Sequence, residues 1–235
     1  MKVLESQYLY FFLLLFTISY PLAQTFERRI QLYKKSKSIG LSIFLILIVF
    51  LPWDMYFTEN EIWGFNTNYT SGIQLYNLPI EEVLFFVIVP FACLFIYEVL
   101  NYFVKTQIPL KLTQSTLVLL AITLISFAII FNERLYTFVC FLICASAILT
   151  IIVVNPKWLN RFLLAYLVSL IPFLLINGIL TGSLIESPIV HYNSDEIIGY
   201  RILTIPIEDF IYNLLMFLIM ISVYEKSNSI FQSKS

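Results

Sequence analysis

The chain has 235 residues, of which 60% are hydrophobic and only 12% are charged. These charged residues are too few to cover the surface of an ordinary water-soluble domain. The composition therefore indicates that lipid is the main solvent of this protein. The 14 basic and 15 acidic residues nearly cancel, leaving a net charge of −1 and no sign of a nucleic-acid partner.

The order of apolar and charged residues predicts an all-α membrane protein of about seven transmembrane helices. A spanning helix needs about 20 mostly apolar residues. The first apolar stretch is interpreted as a helix of the mature protein because Glu5 lies beside Lys2, which is unlike a secretion signal. The charge-poor stretches cover residues 6–25, 38–53, 79–104, 112–131, 135–155, 160–181 and 206–224.

Basic residues predict the orientation of these helices. Eleven of the 14 fall on one side of the predicted topology, and Lys2, Arg134 and Arg201 fall on the other. Because basic loops stay in the cytoplasm, we expect the N-terminus outside and the C-terminus in the cytoplasm of a bacterial inner membrane, with loops 54–78 and 182–205 facing outward. The eleven are Arg28, Arg29, Lys34, Lys35, Lys37, Lys105, Lys111, Lys157, Arg161, Lys226 and Lys234.

An internal repeat becomes visible when the chain is aligned with itself at a shift of 127 residues. The equivalent helices, the third and the seventh, are separated by an even number of spans, so the repeat is predicted to be parallel. We expect a first repeat of three helices over 1–104, a linker helix over 105–134 and a second repeat over 135–235. The identical pairs are Gly72 and Gly199, Pro79 and Pro206, Ile80 and Ile207, Glu81 and Glu208, Tyr97 and Tyr224, Glu98 and Glu225, and Asn101 and Asn228.

The repeat contains a pair of acidic motifs, LPIEEVLFF from Leu78 and IPIEDFIYN from Ile205. Each opens a predicted helix at its outer end. One alternative is simple helix capping, with Asn77 and Thr204 as caps and the acids at the positive end of the dipole. A cap needs one acid and not two, however, and carboxyl groups in the bilayer are costly. The four candidates for an acid and a base are Glu81, Glu82, Glu208 and Asp209, and the pattern does not rank them.

Aromatic residues surround these motifs in the sequence. Their π faces can stabilise a carbocation as they do an ammonium ion, although rings at such positions are also typical of the membrane interface. The six glycines form no GxGxxG, so we expect no flavin or nicotinamide cofactor, and the absence of a DDxxD run disfavours a magnesium-dependent prenyl transferase. Candidate substrate-binding rings are Trp53, Trp63, Phe85, Phe86 and Tyr212.

Both halves resemble the integral membrane lycopene cyclases, whose two short subunits occur separately in some bacteria and fused in others. The first half is similar to one subunit and the second to the other, over nearly the whole chain. The matching residues in the first half are Trp53, Asp54, Trp63, Phe65, Asn66, Tyr69, Gly72, Pro79, Ile80, Glu81, Glu82, Phe85, Phe86, Pro90, Tyr97 and Glu98. Those in the second half are Asn177, Gly178, Tyr192, Asn193, Gly199, Arg201, Pro206, Glu208, Asp209 and Tyr212.

The resemblance implies that the open ψ ends of lycopene are closed to rings by acid–base chemistry, without net redox change and without a cofactor. It adds Asp54, Asn177 and Arg201 to the candidate substrate-binding residues. It also implies a monocyclic carotenoid as intermediate, membrane lipid as the surroundings and other enzymes of carotenoid synthesis as partners. The favoured product is β-carotene, while ε or γ rings and C50 substrates stay open.

A second interpretation is a small carotenoid-binding or proton-coupled membrane carrier without catalytic activity. A carrier of this kind typically breaks its spans with Gly or Pro at mid-depth. The candidates Pro90 and Pro172 are not related by the shift of 127, whereas the acidic motifs are. Two further acids, Glu98 and Glu225, belong to the cytoplasmic end. There we favour a simple reach toward the interface over a tie between helices or a second polar contact for a long polyene.

Overall fold

The computed structural model describes residues 5–232 and folds them into seven α-helices, so the predicted all-α membrane fold is confirmed. α2 to α7 are long and apolar enough to cross a membrane, whereas α1 has 16 residues and is about 24 Å long at roughly 1.5 Å per residue. Lys2 and Lys234, which entered the charge pattern, lie outside the described residues. The helices are α1 (Leu9–Gln24), α2 (Ser36–Glu59), α3 (Ile80–Phe103), α4 (Leu110–Ile130), α5 (Leu135–Val154), α6 (Leu159–Leu180) and α7 (Ile207–Gln232).

Two helices run further than the apolar pattern predicted. α2 ends at Glu59 rather than at 53, and α7 ends at Gln232 rather than at 224. Pro52 does not end α2, because a proline removes one helical hydrogen bond while the residues after it, such as the buried Phe57, still pack against the core. A hydropathy pattern predicts only the part of a helix that lies in the membrane, and the last turns of α7 are polar. The pattern therefore did not predict that these turns are helical. Asp54, predicted in a loop, therefore lies in α2.

Six short strands order the two long loops that join α2 to α3 and α6 to α7. β1 pairs antiparallel with β4, with Gly64 opposite His191, so the two loops contact each other directly. The other four strands form two hairpins that lead into α3 and α7. The strands are β1 (Trp63–Phe65), β2 (Gln74–Leu75), β3 (Leu78–Pro79), β4 (Val190–Tyr192), β5 (Arg201–Ile202) and β6 (Ile205–Pro206).

Equivalent residues of the two halves make equivalent hydrogen bonds. The backbone N–H of Ile80 donates to the carbonyl of Ile73 at 2.8 Å, and that of Ile207 donates to the carbonyl of Tyr200 at 3.1 Å. Both residues of the second bond lie 127 positions after those of the first. The sequence repeat is therefore also a repeat of backbone geometry at the starts of α3 and α7.

The same shift relates the two hydrogen bonds that flank the β1–β4 pair. The N–H of Asn66 donates to the carbonyl of Ile189 at 2.8 Å, and the N–H of Asn193 donates to the carbonyl of Ile62 at 2.9 Å. Each bond joins one half to the other, and the shift exchanges them. The two loops thus meet about a local twofold relation.

α3 and α7 are tied together near the ends opposite the acidic motifs. The Tyr97 hydroxyl donates to Glu225 at 2.5 Å, and the Tyr224 hydroxyl donates to Glu98 at 2.7 Å. Lys35 adds an ion pair to Glu98 at 2.5 Å. Because these partners hold the buried Glu98 carboxylate inside the bundle, its contacts agree with the alternative of a helix tie and not with the favoured reach toward the interface. Since equivalent ends of α3 and α7 meet, the two helices run parallel.

Two glycines, each two residues before a hairpin, have left-handed backbone conformations. Gly72 has φ +81° and its repeat equivalent Gly199 has φ +86°. A residue with a Cβ atom is strained in this region, whatever space surrounds it. These glycines therefore set the path of the chain into each hairpin.

Replacing Gly199 with alanine is expected to lower the free energy of unfolding by about 1–2 kcal/mol, because of this strain alone. Gly40→Ala is the matched control, since Gly40 lies inside α2 and its added Cβ would also meet nothing within 4 Å. Thermal unfolding of both variants in one detergent measures the difference. Equal unfolding midpoints would contradict the assignment.

Candidate active site

α3 and α7 each begin directly after a proline. Pro79 and Pro206 end strands β3 and β6, and the helices start at Ile80 and Ile207. The two acids of each motif consequently fall in the first helical turn. The positive end of the helix dipole stabilises carboxylates at this position.

The alternative in which Asn77 caps α3 is not observed. α3 has Pro79 at its N-cap position and no side-chain cap hydrogen bond. The Asn77 amide instead donates to the carbonyl of Met55 at 2.8 Å. The Thr204 hydroxyl donates to the carbonyl of Gly178 at 3.0 Å. Both side chains therefore tie their hairpins to a neighbouring helix.

The first acid of each motif holds the loop that precedes its helix. One oxygen of Glu81 accepts a hydrogen bond from the N–H of Ser71 at 2.7 Å. One oxygen of Glu208 accepts from the N–H of Ile198 and from the hydroxyl of Thr137, both at 2.6 Å. Glu81 and Glu208 are fully buried and lie outside the cavity described next.

The second acid of each motif points into a shared cavity of about 60 Å³, here called the acidic cavity. Adjacent helical residues differ by about 100° in direction, so Glu82 and Asp209 face away from the loops that their neighbours hold. Glu82 accepts a hydrogen bond from the Tyr10 hydroxyl at 2.6 Å. Asp54 lines the same cavity, and its Oδ2 has no partner among the described residues. Three carboxyl groups from three helices thus meet there.

Asp209 is held by more donors than Glu82. Its two oxygens accept hydrogen bonds from Tyr136 at 2.9 Å, from Asn177 at 2.9 Å and from Tyr192 at 2.7 Å. Burial and the neighbouring carboxylate raise the pKa of Tyr192 above its usual range, so this hydroxyl remains a donor near neutral pH. Hydrogen bonds of this kind stabilise the charged form of Asp209.

Aromatic rings form much of the cavity wall. Trp63 meets Tyr136 edge to face, with ring centroids 5.0 Å apart, and Tyr136 stacks on Tyr192 at 6.0 Å. Tyr212 lies 6.2 Å from Trp63. The electron-rich faces of such rings can stabilise a cation placed between them. Phe65, Phe85, Phe86, Phe173, Leu180, Val190, Asn213 and Met216 complete the lining.

The predicted substrate-binding residues divide into two groups. Trp53 and Arg201 do not line the cavity. Trp53 lies behind Tyr212, at 5.3 Å between centroids, and Arg201 is exposed in β5 with its guanidinium 5.7 Å from the ring of Tyr192. The six that line the cavity are Asp54, Trp63, Phe85, Phe86, Asn177 and Tyr212.

Sequence reasoning missed two tyrosines that bind the cavity acids. Tyr10 in α1 and Tyr136 in α5 fall inside predicted apolar spans and are not among the candidate residues. Tyr10 binds Glu82, and Tyr136 binds Asp209. The two tyrosines stand 126 positions apart, one less than the repeat shift. That near-match was the signal which could have found them.

Several polar atoms of the cavity wall are unpaired within the described part of the chain. They are the indole N–H of Trp63, the hydroxyl of Tyr212 and both amide atoms of Asn213. Buried polar groups are almost always hydrogen-bonded in folded proteins. Unpaired polar groups beside three carboxyl groups are typical of a ligand-binding site.

The fold and this site define a multi-pass α-helical membrane protein with a buried cavity of carboxyl groups and aromatic rings. The family model described as Lycopene cyclase matches residues 7–100 and 133–227. The chain therefore belongs to the lycopene cyclase family. The interval between the two matched segments contains α4.

Curated relatives resemble part of the chain. A protein of Leptosphaeria maculans named "Bifunctional lycopene cyclase/phytoene synthase" is 30% identical over 73 residues, which are 31% of this chain and 12% of that protein. A protein of the same name from Aspergillus oryzae is 32% identical over 65 residues, 28% of this chain and 11% of the relative. That from Podospora anserina is 36% identical over 63 residues, with shares of 27% and 11%. No solved structure matches the chain.

The anchoring of Glu208 predicts the effect of removing one hydroxyl. Thr137→Val keeps the side-chain shape but removes the donor at 2.6 Å, and is expected to lower the free energy of unfolding by about 1–3 kcal/mol. Thr123→Val is the matched control, because that exposed hydroxyl only donates to a carbonyl of its own helix. Thermal unfolding in detergent compares them. A Thr137→Val protein as stable as the control would show that Glu208 does not depend on this contact.

Proposed function

We propose that this chain cyclises the open ψ ends of lycopene in the acidic cavity. The observation that carries the proposal is the meeting of Asp54, Glu82 and Asp209 inside one aromatic-walled cavity. An acid there transfers its proton to the terminal double bond, so an O–H bond breaks and a C–H bond forms. The resulting cation is attacked by a nearby double bond, which closes the ring, and a carboxylate removes a ring proton. No electrons are gained or lost, and the product is an isomer of the substrate.

The hydrogen bonds suggest which carboxyl plays which role. Asp209 accepts three, and these favour its charged form, so we assign it as the base. Glu82 accepts one, and Asp54 has an oxygen without a partner within residues 5–232, so the proton donor is one of these two. This places the acid and the base on opposite halves of the repeat.

Glu81 and Glu208 receive a different role in this proposal. Their accepted backbone hydrogen bonds hold the loops against the helix starts, so they position the acids that follow them. An amide can accept the same bonds. The cavity acids, by contrast, need an ionisable group.

The finer features of the reaction rest on the family resemblance. We propose β rings, formed through a monocyclic intermediate and without a redox cofactor. Lipid and other enzymes of carotenoid synthesis complete the expected surroundings. We also propose the domain division 1–104, 105–134 and 135–235, in which the halves share one site.

The proposed orientation follows the basic loops. The ends of α3 and α7 that carry Glu98 and Glu225 lie on the basic side of the chain, near Lys35. By the positive-inside rule this side is cytoplasmic, so the acidic cavity lies toward the outer face and the N-terminus is outside.

The first test replaces each acid in cells that accumulate lycopene. Glu82→Gln and Asp209→Asn are expected to abolish ring formation, because neither amide transfers a proton. Glu81→Gln and Glu208→Gln are matched neighbours, one residue away, and are expected to retain it. Chromatography of the pigments gives the ratio of lycopene to cyclic product, and immunoblotting of membranes checks the amount of protein.

Two results would overturn this assignment. One is a wild-type chain that forms no cyclic carotenoid from lycopene. The other is a reversed pattern, in which Glu81→Gln and Glu208→Gln abolish cyclisation and the cavity variants do not.

A second test concerns the order of the two ring closures. Tyr10→Phe weakens the hold on Glu82, and Tyr136→Phe weakens the hold on Asp209. If both ends of lycopene react one after the other in one cavity, each variant is expected to slow both closures by the same factor. Time courses of lycopene, one-ringed and two-ringed product measure the two rates. Quantitative accumulation of one-ringed product in either variant would mean that each half serves its own end.

A further inference from the structure

Two apolar cavities continue from the acidic cavity along the bundle between α1, α3 and α6. The first, of about 40 Å³, shares Phe85, Phe173, Asn177 and Asn213 with the acidic cavity. The second, of about 400 Å³, shares Thr17, Ala92, Ile96, Pro172 and Ile176 with the first. Together they follow α3 from Phe85 to Leu100, about 22 Å at roughly 1.5 Å per residue. We call these two adjoining cavities the α1–α3–α6 groove.

The groove offers an occupant almost no hydrogen bonds away from the acidic cavity. The hydroxyls of Thr17, Ser19 and Ser169 all donate to backbone carbonyls of their own helices, at 2.7–2.8 Å. Within residues 5–232, no charged side chain lines it. A polar or charged molecule would therefore lose its hydration without compensation.

The far part of the groove opens toward lipid. Phe16 and Tyr20 of α1 and Leu175 of α6 line it and are between half and two-thirds exposed. A hydrophobic molecule can therefore enter from the bilayer between α1 and α6. From there the adjoining cavities lead toward the acidic cavity, which Glu82 and Asp209 line.

The repeat explains why this space exists beside α3. Val89, Ala92 and Cys93 line the groove. Their equivalents in α7, at a shift of 127, are Met216, Ile219 and Met220, and both methionines are buried in the core. The smaller side chains on α3 thus leave a cavity beside that helix, whereas the larger side chains on α7 fill the equivalent space.

We propose that the α1–α3–α6 groove holds the polyene chain of the carotenoid while one end occupies the acidic cavity, an inference that rests on the proposed function. Its position directly beside the acidic cavity, its length and its lack of polar partners fit a long linear hydrocarbon. The groove accepts one chain at a time. The second end of the substrate consequently reaches the acids only after the molecule has left and turned round.

The test fills the groove with the side chains that α7 already uses. Val89→Met combined with Ala92→Ile is expected to abolish cyclisation in cells that accumulate lycopene. In a Glu82→Gln background, where pigment is not converted, the same change is expected to cause loss of lycopene that co-purifies with the protein. Ala23→Trp, at an exposed position of α1 outside the groove, is the control and should alter neither measurement.

A second measurement needs no bulky side chain. Lycopene is expected to slow the maleimide labelling of a Thr17→Cys protein but not of an Ala23→Cys protein. Two results would overturn the proposal and indicate that lipid chains occupy the groove. One is full cyclisation together with full lycopene retention in the filled variant. The other is equal labelling of the Thr17→Cys protein with and without lycopene. If wild-type protein binds lycopene through the groove yet forms no rings, the proposed function fails while this inference stands.

Discussion

Burial of carboxyl groups inside a membrane bundle is the constraint on which the rest of the structure depends. A carboxyl removed from water is costly unless donors satisfy it. One oxygen of Glu81 and one of Glu208 accept hydrogen bonds from backbone N–H groups of the loops, and these bonds hold the two loops over the helix starts. Glu82 and Asp209 are satisfied by phenol hydroxyls of α1 and α5, which draws those helices against α3 and α7.

The two halves share their architecture and differ inside the acidic cavity. Backbone hydrogen bonds at the starts of α3 and α7 repeat at a shift of 127 residues. Inside the acidic cavity the symmetry ends, because Asp209 accepts three hydrogen bonds and Glu82 accepts one. Two carboxyls in identical surroundings would have the same tendency to ionise, whereas an acid and a base need different ones. The proposed division of roles follows from that divergence.

Much of the fold could be predicted because its signals are local. Apolar length gave the helices, and the matched Pro-Ile-acid-acid motifs gave the two helix starts. Helix ends were harder to predict, since a proline such as Pro52 is typical of a helix end but lies inside α2. The sequence could not decide whether Glu98 ties helices together or reaches toward the interface, because its partners Tyr224 and Lys35 are distant in sequence.

The candidate site was predicted in composition but not in arrangement. Adjacent acids such as Glu81 and Glu82 look alike in a sequence, and only the packing of the helix decides which one faces a loop and which one faces a cavity. Tyr10 was missed because an aromatic residue near a helix end is typical of any membrane interface. Arg201 was included because of the family resemblance, yet it lies exposed on a hairpin.

Solvent isotope labelling tests the central claim, ring closure by proton addition from a buried acid, most directly. Membranes that contain the protein in excess are exchanged into D₂O and given a single turnover of lycopene, and the cyclic product is analysed by mass spectrometry. The account predicts one deuterium for every ring closed, because the exchanged carboxyl deuteron is added and a substrate proton is lost. Cyclic product that carries no deuterium would contradict it.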